Sequence, residues 1–549
     1  MAYNQTLAGY YSEIRRLITV AKGATPGVFN DTPEGNLYEA VRVMGGTPAS
    51  TNANRVGYLR QLVGLVRTAV SGTTGTYNEN EEGYAKELDR LVGGAASDNL
   101  MGWLANAIAT GFTTIGGGPP TAIAVTNRLR LMGFGGLVGS DGVDTDSNTR
   151  ISVYNNSGAT VLKMQPVYIG WRADGTNEQA GYNAIPIRGS FEYPAGTFTQ
   201  FLFVGGAMYL LGANETLTGD EVTLTTPWPA GAQGWVRSNV AVTSGQKWCQ
   251  GYSVSTTKGE ACDFNTGVDK TMSGTITNAT ATANRRGFGP VALVGTSFGA
   301  GARTNRSFAA VGNSILAQAG AANNDAQGNF GWNDRAIAAA GYPHVIYAIS
   351  GTTLFGNVPA NFTRRLAALV AAKITDVVID WSHNDVSGSQ TYAQITTNIT
   401  NIVAYIKAAG MRVHYCTSLP RVSGTFLTAA GQTYYAPNGG YLGGVSSRHA
   451  QVSDFIRANS FGAAGIIDIA DAVEVDANNV LTRNAGYWIS GNGGNGASNS
   501  HLTTTGLTTD NATGDGQHPS DNFSSPNFYG GHWILQDALA AYLAALPAV

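Results

Sequence analysis

The chain has 549 residues, which is too long for a single hydrophobic core and predicts several domains. Charged residues make up only 13% of the chain and glycine reaches 72 residues, a composition frequent among secreted β-structures and virion proteins. The net charge of −3 and the absence of a Lys/Arg run argue against nucleic acid as a partner.

No targeting or membrane-spanning segment is recognisable. The start of the chain, residues 1–4, lacks the basic and then apolar pattern of a secretory signal peptide. No run of about 18 apolar residues occurs, so no membrane insertion is expected. The cysteines Cys249, Cys262 and Cys416 are interpreted as isolated small apolar residues and not as metal ligands. A disulfide between Cys249 and Cys262 is the alternative interpretation.

Residues 1–110 contain a degenerate repeat that predicts short helices. Its units centre on aromatic residues, most of them followed by apolar residues at helical spacing: Tyr11, Tyr38, Tyr58, Tyr84 and Trp103. Helices this short are marginal alone, so we expect their apolar stripes to be buried on neighbouring helices or on another chain. The region is therefore interpreted as an assembly or anchoring segment.

The pattern changes after this repeat. Residues 111–149 are rich in Gly, Thr and Pro, which predicts a connector. Between residues 150 and 300, apolar and polar residues alternate and turn residues recur every eight to twelve positions or so. This second stretch predicts an all-β domain.

Residues 301–549 alternate between strand-like and helix-like segments, beginning near Ser307. Buried strands are predicted at 307–311, 344–349, 376–380, 412–417 and 465–469, with helices between and after them. Five strands in this arrangement predict a parallel sheet with helices on both faces, as in flavodoxin-like α/β/α domains. The chain is therefore expected to be multidomain, with α-helical N-terminal repeats, an all-β middle domain and a C-terminal α/β/α domain.

Polar residues follow these predicted strands at their carboxyl ends, where parallel sheets place their ligands. Ser314 follows the first strand, and Asp515 and His518 lie beyond the fifth. A serine hydroxyl needs a base such as histidine, and the imidazole needs a carboxylate to hold one tautomer. The sequence therefore predicts Ser314 as nucleophile, His518 as acid–base residue and Asp515 as the residue that orients His518.

An oxyanion hole is predicted from the neighbouring strand ends. The backbone N–H groups of Ser314 and Gly351 and the side-chain amide of Asn384 would converge there if the strands are adjacent. Glycine at position 351 removes a side chain that would keep the backbone away from the substrate.

Four blocks carry this chemistry, namely 312–314, 350–352, 382–385 and 515–520. In order and placement they resemble the four sequence blocks of the SGNH (GDSL-like) hydrolases, a family of esterases and polysaccharide deacetylases. The last block, with Asp515 three residues before His518-Pro519-Ser520, is the most specific one. The family usually has Asp at the position of Asn313 and Gly at the position of Ser382. The resemblance implies a serine esterase, and no metal or other cofactor is expected.

Two other interpretations of the chemistry remain open from the sequence. Ser297 lies in a Gly-x-Ser-x-Gly stretch that matches the nucleophile elbow of α/β-hydrolases, but the preceding region is predicted as β-structure without the βα units that this fold requires. Ser297 is therefore interpreted as part of a linking turn. A metal site built from His518, Asp515 and Asp521 is less favoured, because the triad accounts for two of its residues.

Residues 154–163 and 166–169 resemble a short β-module that recurs in bacteriophage structural proteins, and the helical repeats also resemble phage sequences. This resemblance implies a virion protein, assembled in the host cytoplasm without a signal peptide, whose N-terminal helices contact other virion proteins. A homo-oligomer is expected, with a trimer favoured.

The expected function is hydrolysis of O-acetyl or other short acyl esters on a bacterial surface polysaccharide. The insert 423–444 carries Tyr434, Tyr435 and Tyr441, which would either stack on sugar rings or pack on the domain. The alternative function is a non-catalytic adhesin, or a capsid or tail decoration protein, that keeps the fold.

Overall fold

The structure is a computed structural model. It describes residues 32–43, 55–69, 81–91, 122–490 and 512–547, with short gaps inside the last two ranges, and residues 11, 14, 15 and 502. Helices are present where the N-terminal repeat is described, at α1 (Pro33–Val43), α2 (Arg55–Ala69) and α3 (Glu81–Leu91). The predicted unit at Trp103 lies outside the described residues.

These three helices bury the apolar stripe that their spacing predicts. Tyr58 and Leu62 on α2 and Tyr84 on α3 are buried. On α1 the aromatic Tyr38 is exposed, and the buried apolar residues are Leu37 and Val41 instead. The buried carboxylate of Glu87 on α3 pairs with Arg90 at 2.7 Å and with Arg67 of α2 at 3.0 Å. The helices therefore pack on one another, and their assembly with another chain stays a prediction.

Short strands follow, and most belong to two antiparallel sheets. The strands are β1 (Ala122–Ala124), β2 (Leu129–Arg130), β3 (Val138–Gly139), β4 (Asp146–Tyr154), β5 (Thr160–Ile169), β6 (Arg172–Ala173), β7 (Glu178–Gln179), β8 (Ile185–Glu192), β9 (Phe198–Gln200), β10 (Tyr209–Leu211), β11 (Thr216–Thr218), β12 (Val222–Trp228), β13 (Gln233–Ala241), β14 (Trp248–Cys249), β15 (Ala261–Phe264) and β16 (Ala292–Phe298). One sheet has the order β1-β16-β5-β11, with β12 also on β5. The other has the order β10-β8-β13-β4-β15, with β9 on β8. Phe191 and Trp228, one from each sheet, meet with ring centroids 4.7 Å apart.

Strands and helices alternate in the remaining part of the chain. The elements are β17 (Phe308–Gly312), α4 (Gly331–Ala339), β18 (His344–Ile346), α5 (Thr363–Ala371), β19 (Asp376–Asp380), α6 (Ser382–Ser387), α7 (Tyr392–Ala408), β20 (Arg412–Cys416), β21 (Val422–Gly424), β22 (Gln432–Tyr434), α8 (Arg448–Ala458), β23 (Gly465–Ile467), β24 (Glu474–Val475), β25 (Tyr487–Trp488), β26 (Asn522–Ser524), β27 (Asn527–Tyr529) and α9 (Gly531–Ala544). Within the described ranges, no helix combines the length and the apolar character needed to cross a membrane.

The central sheet of this part is parallel and has the order β2-β18-β17-β19-β20-β23. The prediction of five strands is therefore wrong by one. The sixth, β2, lies within residues 111–149, which were predicted as a connector, and Leu129 pairs in parallel with Val345. A strand of two residues carries no periodicity, so only its pairing with β18 reveals it.

Helices cover both faces of this sheet. Buried side chains of α4 and α9, such as Trp332 and Leu539, form an apolar core with one face. Those of α5, α7 and α8, such as Leu369 and Ile399, form a core with the other face. Alternate residues of β17 enter the two cores, which is the arrangement expected of an α/β/α layer structure.

The second of these cores continues into the β-sheets without a break. Glu178 of β7 accepts hydrogen bonds from the backbone N–H groups of Arg364 at 2.9 Å and Arg365 at 3.1 Å. The Arg365 guanidinium lies 3.4 Å from the same carboxylate. The parts predicted as separate domains, 150–300 and 301–549, therefore share apolar core and a buried ion pair.

Ser297 lies inside β16, where its Cα is in antiparallel register with Val161. The interpretation of this residue as part of a linking turn is therefore wrong. Residues 299–305, which follow this strand, lie outside the described residues. The three cysteines are free and buried, so the open question of a disulfide between Cys249 and Cys262 is answered in the negative.

Candidate active site

The turn that carries Ser314 is built by close contact between β17 and β19. Gly312 ends β17, and a Cβ atom there would lie 2.2 Å from the carbonyl oxygen of Asp380, so only glycine fits. The backbone N–H of Asn313 donates to that same carbonyl at 3.1 Å. The side-chain oxygen of Asn313 accepts from the N–H of Ile315 at 2.9 Å. Asn313 thus shapes the turn, and Ser314 stands at the carboxyl end of the sheet with only 3% of its surface exposed.

A tight loop presents Asp515 and His518 to this turn. The hydroxyl of Thr513 accepts from the N–H of Gly516 at 2.9 Å and donates to the carbonyl of His518 at 2.7 Å. One carboxylate oxygen of Asp515 accepts from the N–H groups of Gln517 at 2.8 Å and His518 at 2.7 Å. The loop therefore holds both side chains in place before any substrate binds.

The three residues form one hydrogen-bonded chain. The second carboxylate oxygen of Asp515 lies 2.7 Å from Nδ1 of His518, and Nε2 of His518 lies 2.9 Å from Oγ of Ser314. Burial by itself would raise the pKa of Asp515, but hydrogen bonds from the His518 ring and from two backbone N–H groups lower that pKa well below its ordinary value. Because an ionised carboxylate only accepts, Nδ1 carries the ring proton and Nε2 is left to accept from the serine hydroxyl.

The residues predicted for the oxyanion hole are tied to the same strand end. Asn384 donates its side-chain N–H to the carbonyl of Thr352 at 2.9 Å, next to Gly351. The hydroxyl of Thr352 in turn donates to the carbonyl of Gly312 at 3.0 Å. Gly351 has a φ of +80°, which favours glycine. Because the Asn384 amide has two N–H donors and Thr352 takes one, the other remains for a developing oxyanion.

Asp385 was missed by the sequence reasoning, although it directly follows Asn384. Its buried carboxyl accepts from the backbone N–H groups of Leu354 at 2.7 Å and Phe355 at 2.9 Å. Burial raises its pKa to about 7, against the opposing effect of these hydrogen bonds. The group therefore anchors the loop that begins at Gly351.

His383 lies beside the triad and is buried. Its Nδ1 is 3.0 Å from the hydroxyl of Tyr441. Burial lowers its pKa to about 3, and the positive charge of Arg421 adds to that effect. His383 is therefore a neutral packing residue, as is Tyr441 from the insert 423–444.

The remaining alternative for this site was a metal ion held by three side chains. Asp521 is buried and bound by the guanidinium of Arg335 at 3.3 Å. His518 and Asp515 are bound to each other. The three candidate ligands are thus engaged in two separate pairs, which does not favour a shared metal ion.

No family model matches the sequence, and no curated protein matches it. Solved structures that are similar include a GDSL-like lipase from Bacteroides thetaiotaomicron, at 17% identity over 34% of this chain and 80% of that chain, with a TM-score of 0.22. A psychrotrophic esterase from Pseudoalteromonas is 19% identical over 30% of this chain and 76% of that one, with a TM-score of 0.21. A salicylyl-acyltransferase from a tetracycline biosynthetic pathway is 13% identical over 74% of this chain and 84% of that one, with a TM-score of 0.26. TM-scores this low do not support a conclusion about function, so the function is inferred from the geometry of the site itself.

Proposed function

We propose that this chain is a serine ester hydrolase that uses Ser314, His518 and Asp515. The observation that carries the proposal is the hydrogen-bonded chain from Asp515 through His518 to Ser314, with contacts of 2.7 and 2.9 Å. Nucleophile, base and orienting carboxylate are thereby within direct reach of one another.

The reaction follows from this geometry. The Ser314 hydroxyl attacks the ester carbonyl while Nε2 of His518 takes its proton. The resulting oxyanion is met by the N–H groups of Ser314 and Gly351 and by the amide of Asn384. Collapse of this intermediate expels the alcohol, which takes the proton from His518. Water, deprotonated by the same ring, then releases the acyl group from Ser314 as a carboxylic acid.

The acyl group that we propose is acetyl or another short chain, on a bacterial surface polysaccharide. The short acyl group is proposed from the sequence resemblance to a family that includes polysaccharide deacetylases. The polysaccharide, and a place on a virion as a homo-oligomer, rest on the sequence resemblances. Light scattering on the full-length protein tests the oligomer, for which a trimer is expected.

An aryl acetate tests the catalytic part of the proposal. The wild-type protein is expected to hydrolyse 4-nitrophenyl acetate, and Ser314→Ala to lower kcat by at least about 10³-fold. Ser297→Ala is the matched control, since it removes the other candidate serine and is expected to retain activity. Equal turnover by the wild type and Ser314→Ala would contradict the role of Ser314, and no turnover by the wild type above the rate without protein would favour the non-catalytic adhesin. Acetate release from O-acetylated polysaccharide of a bacterial host then tests the substrate.

A further inference from the structure

Arg421 lies beside the triad, on the loop that follows β20. The next residue, Val422, donates its N–H to the carbonyl of Gly516 at 2.9 Å, within the loop that carries Asp515 and His518. The charge of Arg421 also acts on the buried ring of His383, next to Asn384, because it lowers the pKa of that ring further after burial has done so. The guanidinium is therefore close to the mouth of the site.

This guanidinium has no acceptor in the part of the chain that the structure describes, although it is half-buried. The other arginines that the structure describes from residue 306 onward each donate to a protein acceptor or pair with a carboxylate: Arg306, Arg335, Arg364, Arg365, Arg412, Arg448, Arg457 and Arg483. Guanidinium N–H groups that make no hydrogen bond cost free energy, unless water or a ligand accepts from them.

The position of Arg421 is nevertheless fixed. Its Cζ lies 3.9 Å from the ring centroid of Tyr435, and its carbonyl accepts from the N–H of Tyr435 at 3.2 Å. A guanidinium stacked on an aromatic face keeps its N–H donors pointing outward around its edge. Two parallel donors of that edge match the two oxygens of a carboxylate.

We infer that Arg421, held by Tyr435, binds a carboxylate of the substrate, so that the preferred ester lies on an acidic glycan such as a uronic acid polymer. The inference rests on the proposed function, because the carboxylate is placed relative to the ester that Ser314 attacks. The chain as a whole is slightly acidic, so a cation beside the site favours an anionic substrate over a neutral one.

Two substrates that differ only in this charge test the inference. They are a methyl glucuronoside carrying one O-acetyl group and the methyl ester of the same compound. The wild-type protein is expected to release acetate from the acid with a kcat/KM about 10–100-fold higher than from the methyl ester. Arg421→Gln is expected to bring that ratio close to one. Arg421→Lys is expected to retain part of it, because lysine keeps the charge and loses the fork.

Arg483→Gln is the matched control. Arg483 is exposed and pairs with Asp471, so this variant is expected to keep the wild-type ratio. Equal kcat/KM of the wild type for the two sugars overturns the inference, as does a preference that persists in Arg421→Gln. Acetate release from neither sugar, by a protein that hydrolyses 4-nitrophenyl acetate through Ser314, also overturns it and leaves the esterase proposal standing. Failure of the aryl acetate assay itself instead rejects the proposed function.

Discussion

The carboxylate of Asp515 lies 2.7 Å from Nδ1 of His518, three residues later in the same loop. The same carboxyl also receives the backbone N–H of His518 at 2.7 Å. One side chain therefore fixes both the fold of the loop and the tautomer of the ring.

Asp515→Asn is expected to lower kcat by about 10³–10⁴-fold, with a much smaller change in KM. An amide in place of the carboxylate can donate to Nδ1 and so moves the ring proton to Nε2, where it blocks acceptance from Ser314. The control is Asp471→Asn, which changes an exposed carboxylate in the same part of the chain. Steady-state kinetics with an aryl acetate measure both, and a loss of less than tenfold for Asp515→Asn would contradict the assigned role.

Asn384→Ala is expected to lower kcat by about 10²–10³-fold, because it removes an oxyanion donor. The control is Asn479→Ala, since Asn479 also donates its amide to a loop carbonyl, that of Ser490, at 2.8 Å. Asn479 also accepts from the backbone N–H of Ser490 at 2.9 Å and has a φ of +60°, so Asn479→Ala is expected to lose at least as much stability as Asn384→Ala. Similar kcat values for the two variants would show that Asn384 is only structural.

Asp385→Asn is expected to lower kcat more than it raises KM, because the amide repels one of the two N–H groups that anchor the loop after Gly351. Asp146→Asn is the matched control. Asp146 is also buried and accepts from two successive backbone N–H groups, those of Thr266 and Gly267, in the β-sheet region. If both variants lower the melting temperature but only Asp385→Asn lowers kcat, Asp385 acts by positioning the loop.

The strand ends of the α/β part were predictable from the sequence because each one follows an apolar run and carries a polar residue. That pattern is local, so Ser314, Gly351 and Asn384 were identified together with their order along the chain. The β2 strand was not predictable, since two residues have no periodicity and their pairing with Val345 depends on the folded sheet. The isolation of Arg421 was not predictable either, because it depends on which acceptors the fold brings near.

Asp380→Asn tests a buried carboxyl beneath the site. Burial raises the pKa of Asp380 to about 8, and no described residue forms a hydrogen bond to its carboxyl oxygens. The folded protein therefore holds this proton more tightly than the unfolded chain does. Its stabilising contribution is present at low pH and is lost as the pH rises from about 4 to about 8, at up to roughly 1.4 kcal/mol per pH unit.

Asparagine keeps the size of the side chain and cannot ionise. The melting temperature of Asp380→Asn relative to the wild type is therefore expected to increase steadily from pH 5 to pH 8. Thermal unfolding at one-unit steps measures this difference. A difference that stays constant over that range would mean that the carboxyl does not titrate there.

The contact between Glu178 and Arg365 predicts how strongly the β-sheets are coupled to the α/β part. Both side chains are buried, and burial raises the pKa of Glu178 and lowers that of Arg365 to about 10. Glu178→Leu removes the carboxylate that faces the buried Arg365 guanidinium and also the acceptor of two backbone N–H groups, so it is expected to lower the free energy of unfolding by about 3–5 kcal/mol. Glu178→Leu with Arg365→Leu is expected to recover only the part of this loss that comes from the buried charge, because the backbone N–H groups of Arg364 and Arg365 still lack the carboxylate.

Lys163→Gln serves as the reference for an ordinary surface pair, since Lys163 and Glu221 are both exposed. It is expected to cost less than about 1 kcal/mol. Urea unfolding followed by tryptophan fluorescence measures all three variants. Because apolar core continues across the contact, a single transition that shifts as a whole is expected in Glu178→Leu. Two separate transitions, of which only one moves, would instead show that the β-sheets and the parallel sheet unfold independently.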